Sequence, residues 1–249
     1  MKKFVIAAVA ATALNTTANA ESCASNFSGF YAGLQAGMNA TVGNVKMDGY
    51  ASAPSQPQAN TSEKNTFGNK SFIGGLFAGY GMGIGPCAYV GGEVYANFGN
   101  INNKVFDSSD YVDVEKTFKV TQKNNMNFGA KIRLGYTVSP QAMIFLGLGL
   151  EYSRWHLKCE NITPTNAIAQ TVPTTTKKNR AVISFAPSVG MEMFMTKNIF
   201  VRGEYTYVVG TNQKLNPQQT TVNVPATVTS TVKVNNDQHR FALGLGYKF

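Results

Sequence analysis

The chain has 249 residues, of which 14% are charged and 11% aromatic, and it holds 24 glycines. A charge content so far below the roughly 25% of ordinary soluble domains, with no long apolar run past the N-terminus, excludes coiled coil, collagen and a polytopic helical bundle, and leaves a strand-crossing membrane protein open. The net charge of +9 comes without any Lys/Arg-rich run, so nucleic-acid binding is not expected.

Residues 1–20 read as a secretory signal peptide. Lys2 and Lys3 form a basic start, Phe4 to Leu14 an apolar stretch too short to span a bilayer, and Ala18-Asn19-Ala20 a small-residue cleavage site before Glu21. Removing it takes two lysines from the net charge. Residues 21–249 then form one domain.

Period-2 alternation recurs eight times along that domain. A first strand near Phe30 to Ala40 puts Phe30, Ala32, Leu34, Ala36 and Met38 on one side, with Tyr31, Gly33 and Gln35 on the other. The second carries Phe72, Leu76, Ala78 and Tyr80. The third carries Val90, Val94, Ala96 and Phe98, opposed by Glu93, Tyr95 and Asn97. The fourth carries Met126 through Tyr136 at every second position, opposed by Asn127, Lys131 and Arg133. The fifth carries Ile144, Leu146, Leu148, Leu150 and Tyr152, opposed by Gly147, Gly149 and Glu151. The sixth carries Ile183, Phe185, Val189, Met191 and Met193, opposed by Ser184, Ser188 and Glu192. The seventh carries Ile199, Val201, Tyr205 and Tyr207, opposed by Arg202, Glu204 and Thr206. The last carries Phe241, Leu243, Leu245, Tyr247 and Phe249, opposed by Arg240, Ala242 and Lys248.

Each run is about 9–11 residues, the length a tilted strand needs to cross a bilayer. Connections are short after strands two, four and six, and roughly 25–30 residues after strands one, three, five and seven. The expected fold is all-β: an eight-stranded antiparallel transmembrane β-barrel with short periplasmic turns and four long extracellular loops. Tyr80, Tyr136, Tyr247 and Phe249 would form the periplasmic aromatic girdle. Phe98, Tyr152, Tyr205 and Tyr207 would fall near the outer ends of their strands, and Trp155, just beyond strand five, could join them. The fourth loop, Thr220 to Asn236, alternates Val with Thr or Asn and could extend the barrel or add to a partner's strand.

Bilayer hydrocarbon cannot satisfy the backbone, so the strands must close, and eight leave an interior just wide enough for side chains. Glu93, Lys131, Arg133, Glu151, Glu192, Arg202, Glu204, Arg240 and Lys248 would lie inside. Isolated buried charges are costly, so pairing is required. Glu93 and Glu151 are expected to pair with Arg133 and Lys131, and Glu192 and Glu204 with Arg202. Such a set is either a polar plug or the lining of a narrow water path. Of the three cysteines, Cys23 lies at the periplasmic start and Cys87 in the first periplasmic turn. A disulfide between them is expected, with Cys159 left free across the membrane.

Little points to chemistry. No Cys/His group has metal-ligand spacing, and the Gly-Leu-Gly runs open no helix, so neither a metal nor another cofactor is expected. The two histidines, His156 and His239, fall near the outer ends of strands and lack the His-x-Ser spacing of outer-membrane lipid deacylases. No enzymatic activity is expected.

The terminal strand, ending on Phe249 with apolar residues at every second position before it, resembles the signal read by the outer-membrane barrel assembly machinery. Asn26-Phe27-Ser28-Gly29-Phe30-Tyr31-Ala32-Gly33, Gly74-Gly75-Leu76-Phe77-Ala78-Gly79-Tyr80 and Arg202-Gly203-Glu204-Tyr205-Thr206-Tyr207 resemble the small outer-membrane barrels of alphaproteobacteria, opacity-type and OmpA-like, often called porin-like. Phe27 stands where that family usually has Trp. The resemblance covers essentially the whole mature chain. It implies a non-enzymatic structural protein of the envelope, exposed at the cell surface and in some members adhesive or immune-modulating; the alternative is a narrow porin-like channel for small solutes. The implied partners are outer-membrane lipid and lipopolysaccharide, the assembly machinery, and host surface molecules met through the loops.

Overall fold

Alternating sequence faces become the two faces of one closed antiparallel sheet. The computed structural model describes residues 26–53, 56–107, 117–162, 175–211, 213–215, 218–220 and 227–249. The strands are β1 (Gly29–Ala53), β2 (Gln56–Ile84), β3 (Ala88–Asp107), β4 (Thr117–Ser139), β5 (Ala142–Ile162), β6 (Thr175–Phe194), β7 (Ile199–Val208), the short β8 (Gln213–Leu215) and β9 (Gln218–Thr220), and β10 (Thr227–Lys248). Each long strand pairs with its neighbour in the order β1-β2-β3-β4-β5-β6-β7-β10, and β10 returns to pair with β1. That last seam runs from Tyr31↔Lys248 to Ser52↔Thr227 without a slip. Eight strands therefore close the barrel, and β8 and β9 add short pairings to the outer part of β10.

The apolar rows face out. Phe30, Leu34, Phe72, Leu76, Val94, Ile132, Leu134, Leu146, Leu148, Leu150, Ile183, Leu243 and Phe249 are all exposed, while Glu93, Lys131, Arg133, Glu151, Glu192, Arg202, Glu204 and Arg240 are buried inside. From Val138 to Met126 on β4, twelve steps of about 3.3 Å tilted by about 40° span about 30 Å, the hydrocarbon thickness of a bilayer. No helix among the described residues is long and apolar enough to cross a membrane; the crossing is made by strands.

Two expectations change. The first long connection is mostly strand: β1 and β2 stay paired as far as Ala53↔Gln56. The membrane demands apolar alternation only where strands meet hydrocarbon, so the apolar pattern marks the crossing and not the end of the ladder. The same holds for 227–236, which is the outer part of β10 and extends the barrel. Trp155 does not join the outer girdle. It is 3% exposed, turned inward and packed on Val182, because β5 keeps its alternation past Tyr152 and odd positions face the lumen. The expected signal peptide and Cys23 lie outside the described residues. Cys87 is half-buried at the first turn and carries an unbridged thiol. The side chain of Cys159 is also outside them.

Candidate functional site

The lumen is filled in three layers. Nearest the periplasmic end is an aromatic floor. Phe27, from the segment ahead of β1, turns up into the barrel with Tyr89, Met143 and Phe145 around it. Its ring stacks on Phe194 at 5.0 Å, Phe194 on Phe200 at 5.6 Å, and Phe200 on Tyr31 at 6.0 Å and Phe77 at 6.2 Å. These contacts are edge-on or tilted, the favourable arrangements for aromatic pairs. Inward glycines make room for the rings. A Cβ on Gly129 would enter the ring of Tyr95, and one on Gly246 the ring of Phe200. The glycine-rich inward rows are thus the sockets of inward aromatics on adjacent strands. Asn26 Nδ2 donates to Pro140 O at 2.9 Å and Lys248 Nζ donates to Asn26 O at 2.7 Å, holding the leading segment across the mouth.

Above the floor lies an ionic layer. Glu93 on β3 meets three cations: Lys131 Nζ at 3.1 Å, Arg133 Nη1 at 3.3 Å and Arg202 Nη1 at 2.5 Å. Tyr31 donates its hydroxyl to Glu93 at 3.0 Å and accepts from Arg133 at 2.9 Å. Glu192 binds Arg133 at 2.6 Å, and Glu204 binds Lys131 and lies 3.7 Å from Arg202. Glu151 takes Arg240 in a two-armed contact, 2.6 and 3.0 Å, and accepts from Tyr95 at 3.1 Å. Arg133 rests 4.0 Å above the Phe145 ring and Arg202 3.6 Å above Phe77, which ties this layer to the floor. Four carboxylates and four cations balance within the described lumen, each of them almost fully buried.

Several partners differ from the sequence expectation. Glu151 pairs with Arg240 and not with Lys131 or Arg133. Glu192 pairs with Arg133, although Arg202 sits directly opposite it in the ladder. The reason is the bore: in an eight-stranded barrel the far wall is within reach of a long side chain, so an arginine chooses partners across the lumen as readily as next door. Lys248 lies apart at the periplasmic mouth, half-buried, bonded to a backbone carbonyl rather than a carboxylate.

The third layer is amide-rich: Asn39, Thr41, Asn97, Gln122, Asn124, Asn127, Ser153, Asn236 and Gln238, all buried. Both amide atoms of Gln122, Asn39 Oδ1, Asn236 Nδ2 and Gln238 Oε1 have no protein partner. Buried amides in that state call for water. The outer half of the lumen is therefore wettable; the inner half is filled by charge pairs and rings, with Arg133 Nε, Arg240 Nε and Ser188 Oγ there also lacking a protein partner. The sequence reading weighed the inward charges and passed over the inward aromatics, which the same parity marks.

The two histidines have amide and phenol neighbours. Asn179 Oδ1 lies 2.7 Å from His156 Nδ1, and the Tyr205 hydroxyl 2.7 Å from His239 Nδ1, with Tyr207 stacked at 5.2 Å. Among the described residues no group of three potential ligands could hold a metal ion.

The family model described as the outer membrane protein beta-barrel domain matches residues 4–249. The chain belongs to that family. Its place is the outer membrane. Solved structures of outer-membrane β-barrels are similar to it at low identity. Ail, the attachment invasion locus protein of Yersinia pestis, is 12% identical, over 89% of this chain and 99% of that one, with a TM-score of 0.38. OprG from Pseudomonas aeruginosa is 13% identical over 89% and 96%, with a TM-score of 0.47. Neisserial surface protein A is 15% identical over 84% and 97%, with a TM-score of 0.37. No curated protein matches the chain.

Proposed function

We propose that this outer-membrane β-barrel is a non-enzymatic, shut scaffold of the envelope that acts through its outer surface, in the manner expected of opacity-type barrels. The observation that carries the reading is the closed inner lumen. A neutral lattice of four carboxylates and four cations lies on an aromatic floor, so the ionic layer among the described residues carries no net charge to draw an ion through. The long β1, β2 and β10 stand well beyond the apolar band and offer a rigid base for surface contacts with host molecules. Outer-membrane lipid and lipopolysaccharide are its neighbours in the bilayer, and β10, ending on Phe249, is what the assembly machinery would read.

A narrow solute channel is the second reading, favoured by the unpartnered amides of the outer lumen. Planar-bilayer recordings separate the two. The scaffold predicts no steady open level from the native barrel, and a stable single-channel current would overturn it. Deleting the parts of the strands that rise beyond the membrane, with the crossing segments kept, should abolish surface phenotypes while the barrel still inserts.

A further inference from the structure

Among the described residues the barrel wall is open beside the outer part of β6. Against β5, β6 is paired from Glu160↔Thr175 to Ala142↔Met193. Against β7 the ladder runs only from Phe194↔Phe200 to Ser188↔Thr206, with one further bond from Val209 N to Phe185 O at 2.9 Å. Pro187 is the next residue outward from that ladder. It shares the parity of Phe185, so its missing N–H falls on the β7 side. Beyond Val209 the chain leaves β6 for β10. Gly210 N donates to Asp237 Oδ1 at 2.7 Å, and β8 and β9 both pair with β10. The Ser184 and Thr211 hydroxyls, 3.4 Å apart, still bridge the two sides. Among the described residues no strand pairs with 175–183 on that side.

The N–H and C=O of one strand residue point to the same side, and the side alternates along the chain. Phe185 turns its carbonyl to the β7 side. Thr175, Lys177, Asn179, Ala181 and Ile183 therefore present both backbone groups to the open side. Ile183 pairs with Tyr152 at the outer end of the apolar row. Asn179 to Thr175 stand about 10–20 Å above that level, given a rise of about 3.3 Å per residue and a tilt of about 40°. That is beyond the headgroup layer, about 5–7 Å thick. The edge is basic on both faces. Lys177 is exposed on the outward face, while Lys178, exposed, and Arg180, half-buried, share the parity of the lumen-facing Val182 and Ser184. None of the three cations forms an ion pair with a described residue.

We propose that this edge takes up an extended, acidic polypeptide segment of another protein as an added strand, with its backbone on Thr175, Lys177 and Asn179 and its carboxylates on Lys177, Lys178 and Arg180. The inference rests on the outer-surface reading above and names the class of partner. Two independent features carry it: a run of backbone groups left open where β7 departs, and three cations around that run without a described counter-charge. A soluble polyanion would use the cations and leave the backbone groups idle. The β6 edge of a second copy is disfavoured, since antiparallel pairing of two such edges sets cation against cation. The neighbouring stretches of this chain, 163–174 and 221–226, hold no Asp or Glu to answer the cations.

The test uses the mature barrel in phosphatidylcholine nanodiscs, with amide hydrogen exchange read residue by residue by NMR. The probe is a capped peptide of about ten residues alternating Glu and Val, and a Lys and Val peptide of equal length is the control. In the free barrel the N–H groups of Lys178 and Arg180, turned to β5, should be protected, and those of Lys177 and Asn179 should exchange freely. The Glu peptide should slow Lys177 and Asn179 by about the ratio of its concentration to its dissociation constant. The Lys peptide should not. Lys177→Gln/Lys178→Gln/Arg180→Gln should weaken binding by about tenfold, since three exposed ion pairs of modest worth are lost. Asn179→Pro removes an N–H that the barrel leaves unused, at an edge position where proline is tolerated, so it should fold and lose the peptide. Asn179→Ala, which gives up only the side-chain amide beside His156, should keep it. Heat-dependent gel mobility checks that each variant is folded. Protection of Lys177 and Asn179 before any peptide is added would show the edge covered by the protein's own chain and overturn the proposal. So would no binding of the Glu peptide, equal binding of the Lys peptide, or full binding by the triple variant or by folded Asn179→Pro. The exchange pattern of the native barrel decides even where a variant fails to fold. The outer-surface reading is tested apart from this, by the strand deletions and bilayer recordings above.

Discussion

Glu151→Gln strands Arg240 in the lumen. In the native barrel the two meet by two arms, at 2.6 and 3.0 Å, with Tyr95 donating to the same carboxylate at 3.1 Å. Glutamine keeps the size and one acceptor oxygen, so the loss is chiefly electrostatic. Breaking a buried pair from one side costs about 3–5 kcal/mol. The amide-lined lumen just above the pair moderates that, which places the expected loss near 3 kcal/mol, or about 150-fold in the folding equilibrium. Arg240→Gln should cost about as much from the other side. Glu151→Met/Arg240→Met removes both charges, so its loss should fall well short of the sum, with a coupling of about 3 kcal/mol. Reversible urea unfolding in phospholipid vesicles, followed by the fluorescence of Trp155, measures all four corners; this is the only tryptophan and it is buried in the lumen. Simple addition of the two single losses would refute the reasoning and make the pair solvent-screened.

Other perturbations probe the remaining faces. Leu148→Arg, at the middle of the outward row of β5, should cost about 2–4 kcal/mol. Ser188→Ala, which removes an inward hydroxyl without a protein partner, should stay within about 0.5 kcal/mol in the same assay. Similar losses from the two would contradict the assigned faces. Gly129→Ala should cost about 1–3 kcal/mol by driving a methyl into the Tyr95 ring; an unchanged urea midpoint would show the socket to be slack. Deleting Phe249 should lower the amount of barrel reaching the outer membrane in cells while leaving unassisted folding into vesicles intact, since its ring is exposed and its role is to be read. Intact-mass analysis of oxidised mature protein tests the Cys23–Cys87 bridge expected from the sequence: a fall of about two hydrogens would show it, and three alkylatable thiols would reject it.

The alternation of Phe30, Leu34 and Met38, and of Phe241, Leu243, Leu245 and Tyr247, was enough by itself to name the strands, their outward faces and their closure. Hydrocarbon on one side and a narrow polar bore on the other leave a period of two as the only solution, and a period of two is written locally. The reach of the ladder was not so written. Beyond the headgroups β1 and β2 remain paired with no apolar row to announce it, because water on one face and lumen on the other select for no side-chain contrast. The choice of ionic partners was likewise a tertiary matter. Glu192 lies opposite Arg202 in the ladder, yet it binds Arg133 of β4, past the intervening β5, and Glu151 is claimed by Arg240 three strands away around the barrel. Strand order and parity set which charges enter the lumen. The bore's width and the stagger of its walls decide which of them touch.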